Sequence, residues 1–182
     1  MRRIAVLSGL ILVGGLLGPS TAYATQDGGD HHDHVRWIAV EDKFAVVLPD
    51  GKTFTDENSG PTDELPPVGS RLFISEVLHK AKAGDKQGKE IGRTHIECTA
   101  QVVEGTFLCD AAFVFDSGSQ LLASVHADFS MDTGPEAFDI AVTGGTGDYF
   151  GACGVVSVTD ISDDPQTETV TLYRTDLVLP HH

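Results

Sequence analysis

The stretch QLLASVHADF places Leu121, Ala123, Val125, Ala127 and Phe129 on one face and Leu122, Ser124, His126 and Asp128 on the other. A two-residue period marks a strand with one buried face. Similar runs recur along the chain, giving candidate strands at 36–48, 71–79, 91–103, 106–115, 120–131, 138–143, 148–161 and 168–179, with no convincing 3.6-residue period anywhere. Turn residues separate them, among them Pro49-Asp50-Gly51, Glu104-Gly105 and Asp116-Ser117-Gly118; residues 55–69 are too rich in Pro, Gly and acid to pack and read as a loop. Eight strands joined by hairpin-length connections favour an all-β fold, an eight-stranded antiparallel up-and-down β-barrel, which removes exposed edges by closing on itself. A two-sheet sandwich is the competing arrangement. A barrel of this size either fills with side chains or holds one small ligand.

The first 24 residues, MRRIAVLSGLILVGGLLGPSTAYA, combine two arginines, an apolar run and an Ala-x-Ala site. They read as a secretory signal peptide, and the apolar run is shorter than the ~20 residues of a membrane span. Export to the extracellular space is therefore expected. Cleavage after Ala24 leaves 158 of 182 residues, enough for one domain with a real core. It also removes Arg2 and Arg3 and no acid, moving the formal net charge from −15 to −17. Like charge sets aside nucleic acid and anionic membrane surfaces as partners. Residues 25–34 (TQDGGDHHDH) read as a flexible, solvated His/Asp-rich tail, and 35–182 as the single barrel domain. His31, His32 and His34 are read as adventitious metal binders, and no catalytic metal site is expected.

Cys98, Cys109 and Cys153 all fall in the exported part, where disulfides persist. If the strands around Gly105 pair so that opposed positions sum to 207, Cys98 faces Cys109 within bridging distance. Cys153 is then left over. The glycine-rich VTGGTGDYFGACG (142–154) matches neither dinucleotide nor P-loop spacing. Its glycines are expected to close a tight connection between strands, with DYFGACG beginning the next one.

The order RLFISEVL, GKEIGRTHIECT and FDIAVTGGTGDYFGACGVVSVTD resembles the allene oxide cyclase barrel-like family, related to plant dirigent proteins, over roughly Trp37 to Leu179. The resemblance implies a lipocalin-like barrel with an apolar cavity, commonly assembled as a homodimer or homotrimer and working without a cofactor. Plant members direct the stereochemistry of a cyclisation or a radical coupling by holding a reactive intermediate. The expected ligand is thus a small hydrophobic or phenolic molecule. A non-catalytic carrier or scavenger, and a solid-core secreted interaction protein, are the alternatives.

Glu76 matches the family's cavity carboxylate and shares a face with Leu72, Ile74 and Leu78, where burial would raise its pKa; it is the candidate catalytic residue. Leu78 stands where the cyclase pattern carries an amide, a departure that counts against true cyclase chemistry. Cys153 stands where many relatives have the pocket arginine. Asp110 (with Ala112 and Val114), Tyr149, Cys153 and Tyr173 are the candidate ligand-binding residues. His95 and His126 are read as outward-facing.

Overall fold

Each alternating run becomes a strand in the computed structural model, which describes residues 31–55, 65–129, 137–162 and 169–180. In chain order these are β1 (His31–Asp33), β2 (Arg36–Val47), β3 (Thr53–Thr55), β4 (Arg71–Ala81), β5 (Gln87–Ala100), β6 (Thr106–Phe115), β7 (Gln120–Asp128), β8 (Ala137–Thr146), a 3₁₀ turn at Gly147–Tyr149, β9 (Cys153–Asp160) and β10 (Val170–Leu179). From β4 onward every strand pairs antiparallel with its successor, and β4 pairs with β2. The ring closes where β10 pairs with β2, from Val170↔Val40 to Arg174↔Arg36. This is the expected eight-stranded barrel of β2 and β4–β10; a sandwich would leave the β2–β10 edges unpaired.

Two short strands lie outside that count. The Pro49-Asp50-Gly51 turn folds β3 back onto the end of β2, with Leu48 N–H donating to Lys52 O at 2.8 Å. β1 pairs with the end of β10, His31↔Leu179 to Asp33↔Leu177. This corrects the reading of 31–33 as flexible tail. Beyond Arg174 β10 no longer pairs with β2, and its backbone donors and acceptors are satisfied by β1, whatever its side chains. Thr175 bridges the break, its hydroxyl accepting from Val35 N–H at 2.9 Å and donating to Val35 O at 3.2 Å. Residues 1–24, read as a signal peptide, and residues 25–30 lie outside the described residues.

Inward-facing residues are graded in size along the barrel. One end is plugged by aromatic rings: Trp37 lies 5.5 Å from Phe113 and 5.2 Å from Phe115, and Phe113 lies 5.0 Å from Tyr173, between ring centroids. Leu78, Leu121 and Leu177, all fully buried, pack around them. Each such side chain contributes ~1.5–3 kcal/mol by leaving water. Toward the other end Phe107 packs on Phe129 at 5.7 Å, beside Cys98 and Cys109. Between the two layers the adjoining strands β6 and β7 carry Ala111 opposite Ala123, small side chains that leave the lumen open on that side.

The glycine-rich stretch differs from expectation. β8 runs on through Gly144 and Gly145 to Thr146, with a register shift against β7 between Leu122 and Ala123, and the connection is the following 147–152, which opens with the 3₁₀ turn. Asp148 anchors it, its carboxylate accepting from Ser119 Oγ at 2.9 Å and its N–H donating to the same oxygen at 3.1 Å. Gly145 is needed because a Cβ there would meet the Gln120 and Tyr149 carbonyl oxygens. Gly154, at φ +137°, lies directly against the Asp176 carbonyl.

Candidate functional site

β4 presents alternate residues to the lumen, so the inward setting of Ile74 and Leu78 turns Glu76 inward as well. The register places Glu41 of β2 and Thr94 of β5 on either side of it. From β10, Tyr173 reaches across and donates its hydroxyl to Glu76 Oε2 at 2.8 Å. Glu41, Glu76 and Tyr173 belong to the wall of an internal cavity of about 340 Å³. Its apolar wall includes Ile74, Ile96, Val125, Phe129, Phe138 and Ile140, and its polar groups are Glu41, Glu76, Asp160, Ser124, Thr169, Thr171 and Tyr173. Phe113 and Phe115 therefore fill one end of the barrel without filling the lumen, and the solid-core alternative does not hold.

Only 3% of Glu76 is exposed, and burial pushes its pKa up to about 7. The Tyr173 hydrogen bond opposes that shift, the charge of Glu41 adds to it, and the Thr94 and Thr171 hydroxyls oppose it more weakly. Tyr173 is raised well above 10, by burial first and then by the negative Glu76. Near neutral pH Tyr173 thus stays a donor, while Glu76 is poised between acid and carboxylate. A carboxyl with a pKa near the working pH both gives and takes protons efficiently.

Of the residues singled out in the sequence, the fold brings together Glu76 and Tyr173, and it puts the Cys98–Cys109 disulfide in the same cavity wall. The bridge forms in the expected register, Cys98 opposite Cys109. The others go elsewhere. Asp110 is exposed on the outer face, because Cys109 and Ala111 take the inward positions of β6. With His95 and Glu97 it borders a larger, more open concavity of about 1170 Å³ that crosses the outside of β2, β4, β5, β6 and β7. Tyr149 belongs to the aromatic plug, 5.0 Å from Phe115 and 6.4 Å from Trp37, and is absent from the cavity lining. Burial and the charges of Asp33 and Asp148 push its pKa up to about 12. Cys153 is a free, exposed thiol at the start of β9, paired across the ladder with Val178. His95 and His126 are exposed, as read.

Glu41, Asp160, Thr169 and Thr171 were missed. The alternation Trp37, Ala39, Glu41 carries the signal for Glu41, and Thr171, Tyr173, Thr175 carries it for Thr171. The inner cavity, and not the larger outer concavity, is the candidate site, because it alone joins an apolar enclosure to a buried, proton-exchanging group.

No protein-family model and no curated protein sequence matches the chain. Solved structures do. A pyocyanin demethylase aligns at a TM-score of 0.54 and 19% identity, over 80% of this chain and 100% of that one. Two pterocarpan synthase dirigent proteins align at TM-scores of 0.59 and 0.56, with 17% and 18% identity, over 84% of this chain and 87% and 97% of theirs. At these identities it is the fold that is shared: the chain is an eight-stranded barrel of the dirigent-like type, similar in architecture to these proteins.

Proposed function

We propose that this is a secreted barrel that takes one small apolar or phenolic molecule into its interior and directs its stereoselective cyclisation or coupling without a cofactor. The observation that carries the reading is Glu76, hydrogen-bonded to Tyr173 in the wall of an otherwise largely apolar cavity. A volume of about 340 Å³ falls within the ~300–1,000 Å³ of small-molecule sites. Confinement in such a space removes rotational freedom from a flexible intermediate, so that one reactive conformer is favoured. Glu76 then contacts the polar group of the ligand and takes or gives a proton there. The fold-level neighbours, named for pterocarpan synthesis and for pyocyanin demethylation, support a small-molecule role.

The test is native mass spectrometry of protein exported by its own host, followed by turnover assays of the extracted molecule and related phenoxy and epoxide substrates with wild type and Glu76→Gln. A retained molecule converted with stereochemical bias by wild type, and not by Glu76→Gln, is the expected result. A retained molecule that neither form converts leaves a carrier and overturns the catalytic part.

A further inference from the structure

We infer that the cavity takes an organic cation, an apolar body bearing a quaternary or protonated nitrogen that sits between Glu41 and Glu76. This rests on the cavity reading above and names the ligand class.

The charge inventory of the wall is one-sided. Among the described residues that line it, three carry carboxylates, Glu41, Glu76 and Asp160, and none is Lys, Arg or His. Arg93 of β5 turns outward and makes an exterior ion pair with Asp42, and His79 of β4, though buried, is held by Gln87 and is not part of the cavity wall. Glu41 and Glu76 are directly opposed across the β2–β4 ladder, where like charges repel. Asp160 is held in place by Ser162, whose N–H and hydroxyl donate to its Oδ1 at 2.8 and 2.6 Å.

Tyr173, Thr94 and Thr171 also bear on Glu76; all are uncharged, and Tyr173 donates. An anionic ligand such as a fatty acid would add a further negative charge to a low-dielectric space. A neutral phenol can donate to one carboxylate. A cation placed between Glu41 and Glu76 is attracted by both, and Phe129, Phe138 and Tyr173 in the same wall are rings of the kind that attract it.

A pH dependence follows. A cation prefers ionised Glu76, whose pKa is about 7, so its affinity rises with pH through that value and levels off above it. The groups facing Glu76 are Glu41 from β2, Thr94 from β5, and Thr171 and Tyr173 from β10; Asp160, exposed at the end of β9, is the other carboxylate of the cavity wall.

Benzyltrimethylammonium, its uncharged carbon isostere neopentylbenzene, and phenylacetate form a matched set of probes. Their dissociation constants are read by protein NMR titration at pH 5.5 and pH 8 in wild type, Glu41→Gln and Asp110→Asn. The cation is expected to bind wild type at pH 8 at least about tenfold more tightly than the isostere, and phenylacetate not to bind. That advantage shrinks at pH 5.5 and in Glu41→Gln, and is unchanged in Asp110→Asn, which removes the same charge from the exposed outer face. If the isostere binds as well as the cation, or Asp110→Asn weakens the cation as much as Glu41→Gln, the inference is overturned while the cavity reading stands. If no probe enters the cavity, both fall. Should Glu41→Gln fail to fold, the wild-type comparison across pH decides alone.

Discussion

Glu76 titrates near 7 in the folded protein against 4.5 for the free side chain, chiefly because it is buried, and Glu76→Gln removes the consequence. A carboxyl whose folded pKa is raised binds more protons folded than unfolded between those two values. Its contribution to stability is therefore full below pH 4.5, falls as pH rises to 7, and is flat above. A gap of about 2.5 units at ~1.4 kcal/mol per unit amounts to ~3 kcal/mol, to order of magnitude. Glutamine keeps the shape of the protonated acid and cannot ionise. The variant should be no more stable than wild type at pH 4.5 and gain ~3 kcal/mol relative to it by pH 8. Urea denaturation at the two pH values reads this as a shift of ~2 M in the relative midpoints, at a slope of ~1.5–2 kcal/mol per molar. Titrations of groups remote from Glu76 cancel in the difference. A difference that does not change with pH would refute the argument, because it would mean that Glu76 is solvated.

Further outcomes follow from neighbouring groups. Tyr173→Phe removes the 2.8 Å donor to Glu76, so the Glu76 pKa should rise by about a further unit, read by carboxyl-selective NMR; an unchanged value would show that the hydrogen bond does not form. The double variant Cys98→Ala, Cys109→Ala opens a ring closed between residues 11 apart, and should cost ~3 kcal/mol in urea without changing the circular-dichroism signature of the barrel. Gly154→Ala forces a Cβ onto the Asp176 carbonyl at φ +137° and should cost at least ~2 kcal/mol; a loss under 0.5 kcal/mol would mean that the β9–β10 contact is looser than described.

The barrel was legible because its signal is local. Alternation within each run, and turn residues between runs, set strand order and most of the register, including Cys98 against Cys109. Glu76 was legible for the same reason. Asp110 was not, since TFLCDAAFVF has apolar residues on both faces: Leu108, Ala112 and Val114 match Phe107, Cys109, Ala111 and Phe113 in kind. The bridge settles the choice, as the inward Cys109 forces Asp110 out. The pairing of Glu41 with Glu76 depends on an irregularity between Glu41 and Lys43 in β2, which no alternation rule places. The division into an aromatic plug and an open cavity depends on which inward residues share a level around the ring. That is set by the stagger of eight strands and cannot be read from one strand at a time.

The central claim is that a small molecule sits inside the barrel against Glu76. A crystal structure of the protein grown with a small phenol such as 4-propylphenol is the decisive measurement. The ligand is expected in the inner cavity with its oxygen within ~3.2 Å of the Glu76 carboxyl. A ligand found only in the outer concavity beside Asp110, with the inner cavity empty or filled by ordered water, would contradict it.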